Sequence, residues 1–246
     1  MVAKTAADIA GLRAAGRLVR QVFTMMKQAA KPGVTTLELD QLAQAQFAKV
    51  GAESAPKLYY DFPGATCISV NEAAAHGIPS QRRLRAGDML NIDVSARFQG
   101  YVADMGESFV VGNGKRAQQR ICDAVQRAVT LAIAEVRPER SLNVIGRTVQ
   151  QVADKMGYKI VRNLGSHGVG ASIHEEPSYV PFDNPRERRR LTEGLVFTIE
   201  PFFTTGVDWV DERDDGWTLT VPPGELVAQF EQTLIVRAGG AEVLTA

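Results

Sequence analysis

The chain has 246 residues, 45% of them apolar and 23% charged, and its 28 basic and 28 acidic residues balance. That is long enough for a large buried core, ordinary for a globular protein, and without the basic excess of a nucleic-acid-binding domain. No run approaches the roughly 18 apolar residues of a membrane span, no signal-peptide stretch opens the chain, and the two cysteines, Cys67 and Cys122, are too few for a disulfide framework, so a cytoplasmic, reducing location is expected.

Ile9, Leu12, Leu18, Val19, Val22, Phe23 and Met26 recur at helical spacing, and Pro32-Gly33 stops that helix. Thr35 with Glu38 reads as a capping box for a second helix that ends at Gly51. Met89-Leu90-Asn91-Ile92 then forms a buried strand running into Asp93. Phe98-Gln99-Gly100 makes a turn that brings Asp104 back nearly opposite Asp93 on a hairpin. Ile121, Val125, Ala128, Leu131 and Ala132 form a third helical stripe, stopped at Pro138. Ser141 can cap a fourth helix that ends at Gly157. The Arg cluster at Arg186, Arg188, Arg189 and Arg190 reads as a solvated face. Leu195-Val196-Phe197-Thr198-Ile199 leads a second buried strand into Glu200, and Val227 to Val236 forms a last strand carrying Glu231. If that strand pairs with the Glu200 strand, Glu231 joins the other acids. Asp215-Gly216 and Pro222-Pro223-Gly224 lie between the two, so the connection is not a single hairpin.

The chain repeats itself. One constant shift maps Pro32, Thr35, Leu39 and Gly51 onto Pro138, Ser141, Ile145 and Gly157. A shift one residue longer maps Arg82-Arg83-Leu84-x-x-Gly87-x-x-x-x-Ile92-Asp93 onto Arg189-Arg190-Leu191-x-x-Gly194-x-x-x-x-Ile199-Glu200. Two similar halves, about 1–112 and 113–246, are therefore expected to pack about a pseudo-twofold axis as one fused domain.

The repeat aligns two acids, Asp93 and Glu200, each at the end of an apolar strand. A buried carboxylate is costly without an Arg, a set of donors or a metal ion. Adjacent carboxylates repel unless one is protonated or a cation sits between them. All three histidines stand in short polar motifs: Asn71-Glu72-Ala73-Ala74-Ala75-His76-Gly77-Ile78-Pro79, Ser166-His167-Gly168-Val169-Gly170 and His174-Glu175-Glu176-Pro177. Four carboxylates with one or two imidazoles suit a pair of divalent metals, and the mixed O and N donors favour Mn, Fe, Co or Zn over Ca or Mg. Two such ions can share a bridging water, lower its pKa and polarise a carbonyl. A buried acid–base network without metal is the alternative.

These motifs, with Asn91-Ile92-Asp93-Val94, Asp104, Thr198-Ile199-Glu200-Pro201 and Gln229-Phe230-Glu231, occur in the order found in type I methionine aminopeptidases, which the chain resembles over nearly its whole length. The resemblance implies an α+β, duplicated pita-bread fold: an antiparallel sheet covered by two pairs of helices. It implies five ligands for two divalent ions (Co, Mn, Fe or Zn): Asp93, Asp104, His167, Glu200 and Glu231, with Asp104 and Glu231 bridging. His76 is implied to lie beside the scissile peptide, and His174 to bind substrate and stabilise the tetrahedral intermediate. Glu200 is implied to shuttle a proton from the nucleophilic, metal-bridged hydroxide or water to the leaving amine. The substrate amine is implied to sit near Asp93, and Tyr59, Phe62, Cys67 and Trp217 to wall the methionine pocket, where sulfur–aromatic contacts favour Met. The implied activity removes initiator methionine from nascent chains with a small second residue, at the ribosome, by a short, monomeric, bacterial-type enzyme.

Two positions depart from the family pattern. Ile173 stands before His174 where an aromatic residue is usual, which opens one side of the pocket. Gln232 follows Glu231 where His is usual, which alters the support of Glu231. Xaa-Pro aminopeptidases and prolidases share the ligand set but usually carry a separate N-terminal domain, whereas about 70 residues precede the Asn71 motif here. A metal-free binding module on the same fold is expected to have lost ligands, and all five are present.

Overall fold

The computed structural model describes residues 1–246. Helices α1 (Ala6–Ala29) and α2 (Thr36–Val50) lead through a short strand β1 (Glu53–Ser54) into a short helix α3 (Ala55–Tyr60). Strands β2 (Cys67–Val70) and β3 (Ala73–Ala75) precede a long hairpin of β4 (Met89–Phe98) and β5 (Tyr101–Val110). Helices α4 (Arg116–Glu135) and α5 (Asn143–Met156) then open a second run of strands. These are β6 (Lys159–Ile160), β7 (Ser166–Gly168), β8 (Glu175–Tyr179), β9 (Val196–Ile199), β10 (Phe202–Thr204), β11 (Asp211–Glu212), β12 (Leu219–Thr220), β13 (Val227–Gln229), β14 (Gln232–Arg237) and β15 (Gly240–Val243). No helix is long and apolar enough to cross a membrane.

The helix ends obey local chemistry. Thr35 and Glu38 close a capping box at α2, and Gly51 ends that helix at φ 72°. Gly157 ends α5 in the same way at φ 77°. Thr5 and Asp8 form a further box at α1. Gln99 and Gly100, at φ 52° and 86°, make the two-residue turn of the β4–β5 hairpin, a geometry that matches the twist of the strands.

Alternation along the strands separates a helix-covered face from an inner face. Leu90, Ile92, Val94 and Ala96 of β4 and Ala103 and Met105 of β5 pack with Val19, Val22 and Phe23 of α1 and Leu39 and Phe47 of α2. In the second half Phe197 and Ile199 of β9 and Leu234 and Val236 of β14 pack with Ile121, Val125 and Ala128 of α4 and Val149 of α5. The intervening residues, Asn91, Asp93, Ser95, Asp104 and Ser108 in one half and Thr198 and Thr233 in the other, are polar. Those polar inner faces meet at the seam, where Glu231 N donates to Gly106 O at 2.7 Å.

The duplication has a physical counterpart. Thr35 bridges to Arg83, and Ser141 bridges to Arg190. Arg83 Nη1 donates to Gly33 O at 2.8 Å, and Arg190 Nη1 to Glu139 O at 2.6 Å. Gly87 and Gly194, at φ 87° and 84°, donate their N–H groups to Val111 O and Val236 O, each at 2.8 Å.

Three local expectations change. Asp93 stands opposite Gly106 and Asp104 opposite Ser95, so the two acids, expected nearly opposite each other, are diagonal neighbours on one face. The Glu231 strand is broken: β13 ends at Gln229 and β14 begins at Gln232, with Phe230 bridged to Glu107 of the other half. The pairing itself holds, because Gln232 lies opposite Ile199 and Phe202 opposite Gln229 on either side of the gap. Ser141 acts one residue outside the expected cap. Leu142 takes the N-cap position in an α conformation, and Ser141 Oγ accepts from Asn143 N at 3.3 Å.

Candidate functional site

The inner-face acids are fixed through their backbones. Thr233 Oγ1 accepts from Asp104 N at 2.9 Å and donates to Asp104 O at 2.6 Å, tying β14 to β5. Asn91 Nδ2 donates to Gln229 Oε1 at 2.8 Å, and Gln229 Nε2 donates to Glu231 Oε2 at 3.1 Å. This chain of amides runs beneath Gly106, where a Cβ would stand 2.2 Å from Gln229 Oε1, so a side chain opposite Asp93 would push the Gln229 amide out of place. Thr198 Oγ1 donates to Glu200 Oε1 at 2.8 Å and accepts from His167 N at 3.1 Å.

His167 Nδ1 donates to Gly168 O at 3.0 Å, which turns Nε2 toward the acids. Nε2 lies 3.1 Å from Glu200 Oε1 and 4.0 Å from Asp104 Oδ2. One ligand atom each from Asp104, His167 and Glu231 falls within 4.8 Å of the others. Asp104 Oδ1 and Glu231 Oε1 are buried with no hydrogen-bond partner. An acceptor left without a donor in a buried place is costly. Two acids that each keep such an oxygen, clustered beside an imidazole, fit a divalent cation, whose charge would offset both.

The electrostatics agree. Burial and the charge of Glu200 push the Asp93 carboxyl up to about 7. Burial, then neighbouring carboxylates, push Asp104 and Glu231 well above the usual range. Burial alone would lower His167, but the charge and hydrogen bond of Glu200 outweigh it and raise the imidazole. Like charges in one pocket favour protons, or a metal in their place.

A cavity of about 300 Å³ opens over this centre, with Phe62, Cys67, Ile173 and Trp217 on its apolar side and His76, His174 and Glu200 on its polar side. Phe62 and Trp217 meet edge to face, with ring centroids 5.2 Å apart. His76 and His174 are reachable by solvent, yet protein walls enclose much of each ring. That desolvation depresses both, taking His174 to about 4 with help from His167. Burial, and then nearby acids led by Asp93, push the Cys67 thiol far up.

Comparison with known proteins places this arrangement. The profile of metallopeptidase family M24 matches residues 10–238. The chain belongs to metallopeptidase family M24. A protein named methionine aminopeptidase from Staphylococcus epidermidis is 42% identical over 247 residues, covering 100% of this chain and 98% of its own. The crystal structure of methionine aminopeptidase from Rickettsia prowazekii superposes with a TM-score of 0.95 at 34% identity, over 100% of both chains. Prolidase from Pyrococcus furiosus, at 24% identity, shares the fold with a TM-score of 0.80, and the match covers 100% of this chain but 65% of that one.

Within this M24 chain, the structure brings Asp93, Asp104, His167, Glu200, His76 and His174 to one cavity, with Glu231 beneath it beside Asp104 and His167. Of the four expected pocket residues, Phe62, Cys67 and Trp217 line the wall and Tyr59 does not. Tyr59 packs against the cluster containing Leu12 and Val102, and its hydroxyl donates to Ala171 O at 3.2 Å. The reason is helical. On the short α3, Pro56 and Tyr60 are one turn apart and share the cavity face, while Tyr59 points about 100° away. Tyr60 is thus the pocket residue that sequence reasoning missed; Ser54 followed by Pro56 was the helix-start signal that could have found it. Gln229, named above only as part of a motif, supplies the donor to Glu231, while Gln232 Oε1 instead accepts from Thr245 Oγ1 at 2.8 Å.

Proposed function

We propose that the chain is a metal-dependent aminopeptidase that removes the N-terminal methionine from polypeptides with a small second residue. The observation that carries this reading is the apolar, aromatic cavity directly adjoining the Asp93, Asp104, His167, Glu200 and Glu231 donor set. The close relationship to proteins named methionine aminopeptidase supports it. These five residues would hold two divalent ions of Co, Mn, Fe or Zn. Bound there, the ions supply the Lewis acidity that polarises a carbonyl and makes water a competent nucleophile near neutral pH.

The side chains supply the rest. Phe62, Cys67, Ile173 and Trp217 receive the methionine side chain and exclude water from it. Asp93, which lines the same cavity, attracts the substrate amine, so only a chain terminus fits. His174 donates a hydrogen bond to the scissile carbonyl oxygen, where negative charge develops. His76 lies along the peptide that leaves. Glu200 takes the proton of the attacking water on its carboxylate and passes it to the departing amine.

In this reading residues 1–246 act as one catalytic domain of two similar halves, about 1–112 and 113–246, a monomer in the cytoplasm. Its substrates are nascent chains at the ribosome, without nucleic-acid specificity. Met-Ala-Ser, N-acetyl-Met-Ala-Ser, Met-Leu-Ser and Ala-Pro test the reading as a set. Release of Met from the first alone is expected; cleavage of Ala-Pro with Met-Ala-Ser untouched would replace it with an Xaa-Pro peptidase.

A further inference from the structure

Tyr60 Oη lies 2.5 Å from His174 Nδ1, and this phenol is the hydrogen-bond partner the His174 ring has in the protein. The rings are tilted by 60° with centroids 5.4 Å apart, and the polar contact between them is made through the hydroxyl. On the other side, the His174 ring meets the His167 ring edge to face at 4.2 Å. Tyr60 is itself held by the short helix α3. Ser54 Oγ accepts from Lys57 N, and Asp61 ends the helix in a left-handed conformation at φ 56°, which sets the direction of the Tyr60 side chain.

A neutral imidazole carries one N–H, on Nδ1 or on Nε2, and the partner of one nitrogen decides the other. Phenol is a far stronger acid than a neutral imidazole N–H, and an imidazole nitrogen is a far better acceptor than a phenol oxygen. The stronger of the two bonds therefore has Tyr60 O–H donating to Nδ1. That places the ring proton on Nε2. Burial raises the Tyr60 phenol, which keeps the hydroxyl protonated and able to donate.

We propose that Tyr60 is a positioning residue that locks His174 in the tautomer with its proton on Nε2, ready to donate to the substrate carbonyl oxygen. The tautomer follows from the contact itself; its use on a carbonyl rests on the aminopeptidase reading. Without the phenol, a ring protonated on Nδ1 would turn a lone pair toward the carbonyl oxygen, and repulsion would replace the hydrogen bond. The effect belongs to the reaction step, because Tyr60→Phe keeps the ring that lines the cavity and removes only the hydroxyl that meets His174.

The test is long-range proton–nitrogen NMR of protein labelled with ¹⁵N-histidine, without substrate, in the unsubstituted chain and in Tyr60→Phe. The chain has three histidines, so a His174→Gln sample identifies the His174 signals. Expected are a protonated Nε2 and an unprotonated Nδ1 in the unsubstituted protein, collapsing toward a mixture of tautomers in Tyr60→Phe. With Met-Ala-Ser, kcat of Tyr60→Phe is expected to fall about tenfold with KM nearly unchanged, the scale of one hydrogen bond. A protonated Nδ1 in the unsubstituted protein, or a tautomer or kcat indifferent to Tyr60→Phe, overturns the proposal. If the unsubstituted protein releases no Met at all while the nitrogen signals behave as expected, the failure lies with the aminopeptidase reading and the Tyr60–His174 lock stands.

Discussion

Asp104 and Glu231, from opposite halves of the chain, bring carboxylate oxygens within 4.8 Å of each other, and each keeps one oxygen buried without a donor. The backbone enforces this meeting, through Glu231 N to Gly106 O and through the Thr233 hydroxyl on both polar groups of Asp104. The two acids are therefore held together whether or not anything neutralises them. A site built this way gives up stability when empty and recovers it on binding a cation.

Glu231→Gln follows from that relationship. Removing one of the crowded acids relieves repulsion in the stripped protein. Its Tm in EDTA should rise by about 2–4 °C, the shift expected for roughly 1 kcal/mol in a domain of this size. The rise in Tm expected on adding Mn to the unsubstituted protein should disappear. Paired thermal melts with EDTA and with Mn check both signs.

The pH dependence has a definite direction. The folded protein raises Asp93 from its ordinary 3.8 to about 7, so without metal the folded chain holds a proton that the unfolded chain releases. That contribution to stability is fully present below pH 3.8 and is lost as pH rises through about 7. A metal must displace this proton, so its affinity rises over the same interval. Between pH 5.5 and 7.5, about the window where Asp93 loses its proton, melts should show the stripped protein losing stability and the metal-induced gain growing. The opposite trend in either would refute the assignment.

Much of this site was legible in the sequence, because its determinants are local. The capping box at Thr35 and Glu38, the Gln99-Gly100 turn and the repeated Arg-Arg-Leu-x-x-Gly segments each specify backbone geometry within a few residues. The acids were found because a carboxylate on an apolar strand demands a partner. What could not be read was register across long separations. The diagonal offset of Asp93 and Asp104 depends on where a two-residue turn falls, and the break at Phe230-Glu231 depends on that segment crossing to Gly106 in the other half. Tyr60 is hidden in the sequence because a one-turn helix gives too few residues for a periodic signal, and the resemblance points to its neighbour Tyr59 instead.

Trp217 and Phe62 form the aromatic corner of the pocket. Trp217→Ala removes one face of the wall that receives the methionine side chain. The expected loss in kcat/KM for Met-Ala-Ser is about 10- to 100-fold, within the range for altered apolar pocket contacts, and it should fall mainly on KM. Steady-state kinetics separate the two constants.

Glu175 secures the loop that carries Ile173 and His174. Its Oε1 accepts from Ala171 N and Ser172 N, both at 2.6 Å. In Glu175→Ala the amides of Ala171 and Ser172 should exchange with solvent about tenfold faster or more, the scale of losing charge-assisted hydrogen bonds. Exchange at the β4–β5 hairpin should be unchanged, which hydrogen-exchange NMR reads in the same sample.

The most direct test of the central claim is release of free methionine from Met-Ala-Ser by the purified chain, stripped with EDTA and then reloaded with Mn or Co. The account predicts no release after stripping, recovery on reloading, and no recovery in Glu200→Gln. Release that persists in EDTA, or a folded and metal-loaded chain that leaves Met-Ala-Ser intact, would contradict it.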